Sequence, residues 1–343
     1  MDHPSSYHAT EHSMKRRCKG HDYHSRSMYM ITLVVEGRRN ILGRLIGDPT
    51  LPVGQLGAAT LAPSPLGEAV EEEWRKLPKR YPEVNDIALQ LMPDHLHLII
   101  FVTKKMKVTL STVIASFEGY CRQRYEALIK QGLAPAVPKN ILEEQALARE
   151  ENRKSRLGLL FEIGFNDKIL WREGELQAWK QYLADNPRRR LIKGLNPEFF
   201  MVKHNINRYG YTFEALGNEF LLDYPRRIFV QCSRRLSDAD IASLLQKAEP
   251  DFENGSVFVS ASISPGERMV MRHAFDNGCP TIVLRENGFA QYEKPHGGAF
   301  DACAEGRLLL LAPWEHHTEK KVISREQCLN LNRMAEAIST DRL

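Results

Sequence analysis

No run of about 18 consecutive apolar residues occurs in the chain, which excludes a simple membrane-spanning helix. The opening stretch MDHPSSYHATEHSMKRRCKGHDYHSRS lacks the apolar centre of an export signal, so no membrane partner and a cytoplasmic location are expected. Cysteines number six, stand far apart at positions 18, 121, 232, 279, 303 and 328, and form no CxxC pair. That argues against a zinc knuckle or a disulfide framework, and the thiols read as reduced. Neither GxGxxG nor GxxxxGKS/T occurs, which weakens any dinucleotide-binding or ATP-hydrolysing reading. Charge of one sign is scarce too: 47 Lys+Arg against 43 Asp+Glu leave a formal net charge of +4. A nucleic-acid partner therefore has to be argued from local clusters rather than from the total. Internal repeats and low-complexity tracts are also lacking.

The chain has 343 residues, of which 43% are hydrophobic and 26% charged, enough for two domains each burying its own core. A polar tail over 1–24, rich in histidine at 3, 8, 12, 21 and 24, is expected to be disordered. MYMITLVVEGRR (28–39) reads as a strand and EAVEEEWRKLPKRYP (68–82) as a helix. From Leu110 the apolar positions Leu110, Val113, Ile114, Phe117, Cys121 and Tyr125 recur every three or four residues, an amphipathic helix. A charged insertion follows at about 131–160, then a helix over 172–186 that Pro187 should end or kink. Beyond 205 the pattern changes: RRIFVQC, GSVFVSA, PTIVL and RLLLLAP read as short buried strands. They alternate with helices opened by Ser237 or carrying Pro265 near their start, the signature of a mostly parallel sheet. The expected fold is an α+β domain over 25–205, an antiparallel sheet with helices, followed by an α/β Rossmann-like domain over 206–343.

The chemistry centres on LMPDHLHLII (91–100). Residues two apart on a strand share a face, so His95, His97 and Ile99 point one way and Leu96, Leu98 and Ile100 the other. Taken alone this is either a strand with a half-polar face or a pair of ligands aimed at one metal ion. Later, in WKQYLADNPRRR, Tyr182 and Asn186 stand one helical turn apart, ahead of Arg188, Arg189, Arg190 and Lys193. Individually, a helical Tyr is ordinary packing and a basic run a solvated helix end. Together the pieces suit attack on a phosphodiester. A divalent ion (Mg or Mn) on His95, His97 and a third polar ligand, Asn186 before Asp185, would offset charge at phosphorus, and the Tyr182 phenol would be the nucleophile. The basic cluster would hold DNA phosphates.

With MPDHLHLII followed by YLADNP, the chain resembles the single-tyrosine HUH transposases, in particular the REP-associated tyrosine transposases. YMITLVVEGRRNILGRL and FNDKIL resemble further segments of that family, and the likeness covers roughly residues 22–205. The resemblance implies metal ligands His95, His97 and Asn186, nucleophile Tyr182, a small antiparallel sheet with helices on one face, a homodimer, and single-stranded or hairpin DNA as substrate. The chain departs from the family in its insertion and in having Asp167–Lys168 where relatives often carry a DH pair. A host-retained derivative that binds DNA or nucleotide without catalysis, in a regulatory role, is the alternative reading. A water-using metallohydrolase, which has no need of Tyr182, is a third.

In the second domain, the turn Ser260–Ala261–Ser262–Ile263–Ser264–Pro265–Gly266 is small, polar and placed before a helix at a strand's carboxyl end. Ser260, Ser262, Ser264 and Gly266 are therefore candidates for a phosphate-binding loop, serving a nucleotide or DNA, with Glu267 and Arg268 as neighbouring contacts. An N-capped turn of no further function is the plain alternative. This region is similar to the Rossmann-like domains of the DNA-processing protein (DprA) and lysine-decarboxylase-like superfamily. His316 and His317, adjacent in APWEHH, read as loop residues.

Overall fold

A computed structural model describes Cys18 and residues 20–233, 235–319 and 321–343. His3, His8, His12 and most of the polar tail lie outside the described residues. The chain divides into two compact units between Leu191 and Ile192.

The first unit is built on four strands in the order β4-β5-β1-β6: β1 Ser27–Val34, β4 Val84–Leu91, β5 His95–Val102 and β6 Asn166–Ile169. Every neighbouring pair is antiparallel. The alternation read in the sequence holds. Tyr29, Ile31 and Leu33 of β1 and Leu96, Leu98 and Ile100 of β5 share one buried core. Helices α1 (Pro65–Arg75) and α3 (Leu110–Lys130) cover that face, with the short helix α2 (Leu77–Arg80) after α1. All six α3 residues singled out by spacing are buried. The Phe117 ring meets Trp74 of α1 edge-on at 6.2 Å. Both helices start on capping hydroxyls: Ser64 accepts from Gly67 N and Thr109 from Thr112 N.

A separate hairpin, which escaped the sequence reading, pairs β2 (Gly43–Ile46) with β3 (Thr60–Pro63). It depends on Gly47, where a Cβ would lie 2.3 Å from the Ala58 carbonyl oxygen. The charged insertion contains α4 (Lys139–Glu150), and its Glu144 binds Arg153 and the Arg156 backbone N–H.

Glu118 of α3 lines a cavity of about 300 Å³ that is also bordered by residues 158–164, and one of its oxygens is buried without a hydrogen-bond partner. Burial pushes its carboxyl up from 4.5 to about 8. The folded chain therefore holds a proton that the unfolded chain releases across that window, so stability falls as pH rises from 4.5 toward 8. Glu118→Gln, which keeps the shape without the charge, is expected to flatten this dependence. At pH 8.5 it should gain about 2 kcal/mol, or roughly 5 °C in melting temperature, with little change at pH 5. Thermal unfolding of both proteins at the two pH values checks it.

The second unit holds a seven-stranded sheet in the order β13-β9-β10-β11-β12-β8-β7. Strands β9 (Arg227–Phe229), β10 (Val257–Ser260), β11 (Thr281–Leu284), β12 (Leu308–Ala312) and β13 (Asp341–Arg342) run parallel. The hairpin β7 (Lys203–Arg208) and β8 (Tyr211–Gly217) adds antiparallel strands beside β12. Helices α6 (Asp238–Glu253) and α7 (Pro265–Asp276) pack on one face through Ala248, Val270 and Ala274. Helix α9 (Arg325–Ile338) packs on the other through Leu331, Ala335 and Ile338. This is the mostly parallel α/β domain the strand–helix alternation implied. The short helix α8 (Gly298–Ala304) precedes β12.

Candidate active site

The strand pairing sets out the polar face of the first sheet. Gln90, His97, Thr32 and Asn166 lie directly across from one another on β4, β5, β1 and β6. The next row on that face is Ala88, Ile99, Met30 and Lys168. His95 precedes His97 by one pleat, and the two rings meet edge-on with centroids 5.0 Å apart.

Each histidine is held through the same ring nitrogen. His95 Nδ1 is 2.7 Å from Asp94 Oδ1, and His97 Nδ1 is 2.8 Å from Thr32 Oγ1. The Thr32 hydroxyl also reaches Met30 Sδ at 3.7 Å, and in the tautomer that carries the proton on His97 Nδ1 it accepts from that ring. With Nδ1 engaged in this way, Nε2 of both rings is the nitrogen left for a ligand, the arrangement that carboxylate and hydroxyl partners impose on metal-binding histidines. Burial, then the charge of His95, lowers the His97 pKa to about 4, so its ring is neutral at physiological pH. Burial alone would raise Asp94, but the hydrogen bond from His95 and the charges of His95, Arg190 and Arg38 hold it below the usual carboxylate range. Backbone bonds from Val35 N to Asp94 O, Leu42 N to Pro93 O and Met92 N to His95 O fix the turn between β4 and β5.

No group of three or more His, Cys, Asp and Glu side chains able to hold an ion occurs among the described residues. An ion on the histidine pair would therefore need a third ligand of another kind. Asn186 is an amide, 8% exposed, and suits that part.

Helix α5 (Glu175–Leu195) carries Asn186 and Tyr182. Trp179, Leu183, Asn186 and Arg190 follow at steps of four, three and four, one stripe of a helix. Contacts at both ends tie this stripe to the sheet. Lys168 of β6 lies over the Trp179 ring at 5.0 Å, and Arg190 Nη2 is 3.8 Å from Asp94 Oδ2. Between them Leu183 and Asn186 are buried, while Tyr182, on the margin of the stripe, is 45% exposed. The first sheet thus has a helix bordering its histidine face as well as those on its core face, where the resemblance implied helices on one face only.

Pro187 does not end α5, which continues to Leu195. The proline removes the N–H that would bond to the Leu183 carbonyl. Side chains bridge the step instead: Arg188 Nε and Nη2 lie 2.5 and 3.2 Å from the Asp185 carboxylate, and Arg189 Nη1 lies 3.9 Å from it. The four cations expected to hold phosphates all have intramolecular partners: Asp185 for Arg188 and Arg189, Asp94 for Arg190, and the Phe300 ring for Lys193 at 5.6 Å. The sequence reading passed over Asp94, Thr32 and Trp179, and met Lys168 only as a departure from the family's DH pair. Only the D preceding HLH hinted at the first; Thr32 becomes visible through strand register and Trp179 through the helix stripe.

In the second unit, three backbone donors of the turn after β10, the N–H groups of Ser262, Ile263 and Ser264, are taken by side chains. Glu267 sends its carboxylate back over the start of α7 and accepts from Ile263 N at 2.7 Å, Ser264 N at 3.1 Å and Cys232 N at 3.2 Å. Ser264 Oγ accepts from Glu267 N, and Ser260 Oγ donates to the Val230 carbonyl while accepting from Ser262 N. Arg268 bonds the Ser262 and Ile263 carbonyls. Gly266 lets Cys232 approach to 3.1 Å from where a Cβ would stand. The anion in this turn is the protein's own. Beside it lies a cavity of about 360 Å³ lined by Gln231, Cys232, Arg325, Cys328 and Asn332 among others. His316 and His317 bond the Gly288 and Glu319 carbonyls, as loop residues do.

No family model matches the chain. A curated relative, an uncharacterized protein of Haemophilus influenzae, is 28% identical over 96 residues, 28% of this chain and 47% of the relative. The chain thus spans about half the length of the curated relative it matches. Among solved structures, DNA processing protein A of Helicobacter pylori, described for its single-stranded DNA binding mode, is similar at 18% identity. It has a TM-score of 0.31 over 42% of this chain and 67% of its own. A REP-associated tyrosine transposase bound to a REP hairpin is similar at 10% identity and a TM-score of 0.30, over 51% of this chain and 74% of its own. A candidate transposase from Deinococcus radiodurans R1 is similar at 13% identity and a TM-score of 0.25, over 50% of this chain and 96% of its own. Among the described residues no helix is long and apolar enough to cross a membrane.

Proposed function

We propose that the first unit cuts and rejoins single-stranded DNA by passing a phosphoryl group through Tyr182. The observation that carries this reading is the contact between Arg190 and Asp94. Asp94 orients His95 with one oxygen and meets the Tyr182–Asn186 helix with the other, so nucleophile, amide and histidine pair belong to one chain and one connected network. His95, His97 and Asn186 would hold a divalent ion, Mg or Mn. Such an ion supplies an electrostatic offset for charge developing on the non-bridging phosphate oxygens.

The chain's own residues do the rest. The Tyr182 oxygen forms a bond to phosphorus as its proton leaves to solvent. The bond from phosphorus to one sugar oxygen breaks, and that oxygen leaves as a hydroxyl after taking up a proton. The phosphotyrosine keeps the energy of a diester, so a sugar hydroxyl can later reverse the step and rejoin the strand.

The test is a denaturing gel of labelled single-stranded and hairpin oligonucleotides incubated with protein, with Mg²⁺ or Mn²⁺ and with chelator. A protein–DNA band that needs the metal and is lost in His97→Ala supports the reading; cleavage with no such band at any time point sinks it. Asp94→Ala serves as a second check. It is expected to lower adduct formation roughly 10- to 100-fold by releasing the His95 ring. DNA affinity in chelator should hold within about threefold, since Asp94 would meet no phosphate.

A further inference from the structure

The exposed edge of the first unit beside β6 carries aromatic rings interleaved with cations, and this run leads to Tyr182. Trp171 is 67% exposed, although it stands on a well-fixed backbone: its N–H and that of Arg172 both donate to Glu175 Oε2, at 2.8 and 3.0 Å. Its indole meets the His21 ring edge-on at 5.2 Å. His21 is anchored in turn by Tyr29 Oη at 2.8 Å and by the Tyr23 ring at 4.8 Å. Lys168 and Arg172 border an open cavity of about 450 Å³ with Trp171. Lys168 then covers Trp179 at 5.0 Å, and Trp179 meets the Tyr182 ring at 5.3 Å and 79°. Two carboxylates line the cavity: Asp167 accepts from Tyr23 Oη at 2.9 Å, and Glu175 accepts the two backbone N–H groups on one oxygen. The other Glu175 oxygen lies 3.9 Å from Lys168 Nζ, a loose, half-exposed pair that a phosphate can displace.

We infer that Trp171, with Lys168, Arg172 and Trp179, forms a stacking track that receives unpaired bases of a DNA strand and leads that strand to Tyr182. The inference deepens the proposed reading by naming where the substrate strand lies. A rigid indole presents a π-face that any base can cover, and cations beside it suit the phosphates between successive bases. In duplex DNA the base faces are already stacked on one another, so this surface selects unpaired strand. A protein partner would also cover an exposed tryptophan. The cations and the continuity with the nucleophile's ring favour nucleic acid.

The test is binding measured by fluorescence anisotropy with full-length protein, labelled single-stranded 20-mers and blunt duplexes of the same sequence, in chelator so that no chemistry intervenes. Trp171→Ala should bind the single strand roughly 5- to 100-fold more weakly, the range expected for the loss of one stacked base. Trp171→Phe should recover most of the affinity, and duplex binding should be unchanged. An abasic site at the stacked position should weaken wild type and leave Trp171→Ala unaffected. Equal single-strand affinity for wild type and Trp171→Ala overturns the track, as does an equal loss on duplex, or a wild type that binds no unpaired DNA. Circular dichroism of each variant guards against misfolding. The two readings separate cleanly. A covalent adduct with no Trp171 effect removes the track and leaves the chemistry, whereas Trp171-dependent binding without an adduct does the reverse.

Discussion

Tyr182→Phe is expected to leave the protein folded and bound to DNA while abolishing the covalent protein–DNA adduct. The substitution removes one oxygen. The ring that remains keeps its edge-on meeting with Trp179 at 5.3 Å and its place under the Arg189 guanidinium at 5.7 Å. Because the side chain is 45% exposed, stability should change by no more than about 0.5 kcal/mol. The reaction, by contrast, loses its nucleophile outright. Removing the attacking group from an enzyme typically costs several powers of ten, and a fall of at least about 10³-fold in strand cleavage is expected here. Adduct gels and single-turnover cleavage, run beside anisotropy binding, measure both halves of the prediction. Cleavage that persists in Tyr182→Phe would mean that water attacks. The histidine pair would then belong to a metallohydrolase, and the helix contact through Arg190 would be structural. Loss of DNA binding together with cleavage would instead assign the Tyr182 hydroxyl to substrate binding.

How much of this was legible beforehand depends on the range of the interaction that carries it. Periodicity is local, so the buried stripe of α3 and the two-faced strand around His95 and His97 follow from spacing alone. The cap Ser237 was legible too, opening α6 with a complete capping box, whereas Ser264, read as a phosphate-loop candidate, opens α7 with another. Register is not local. Nothing in the primary sequence says that Thr32, 65 residues from His97, will sit opposite it and bind its Nδ1. Asp94 reads as a turn residue after a proline, and its two-sided role exists only once α5 has brought Arg190 alongside. Arg188 to Arg190 read as a phosphate clamp because they are basic and adjacent. Their directions on a helix send them to different acids, two of them to Asp185. The hairpin β7–β8 escaped because its turn residues, Tyr209 and Gly210, both take positive φ, and tyrosine is an uncommon choice where Asn or Asp usually stands.

Glu267 is the sharpest case, and its removal is expected to destabilise the second unit strongly. A small polar turn between a parallel strand and a helix is where open α/β sheets commonly bind phosphate. Here a carboxylate from the third residue of the helix reaches back and occupies those donors, so three backbone N–H groups depend on one side chain. Glu267→Ala leaves them without an acceptor in a site where Ser264 and Glu267 are each 2% exposed. A loss of about 3 kcal/mol is expected, since each buried donor stranded without a partner costs roughly 1–3 kcal/mol and water can satisfy some of them. Glu267→Gln should fall between, because its carbonyl oxygen can still accept while its amide nitrogen turns a donor toward donors. Denaturant unfolding gives the order, and hydrogen exchange over 257–270 locates the effect. The carboxylate's role as a built-in anion adds a stricter expectation. Phosphate or sulfate at tens of millimolar should restore part of the stability of Glu267→Ala and none of it for wild type, through the adjoining cavity of about 360 Å³. Equal stability of wild type and Glu267→Ala would show that the turn holds itself without the carboxylate. Anion stabilisation of wild type would show that phosphate displaces Glu267, and the turn would again be a ligand site rather than a closed one.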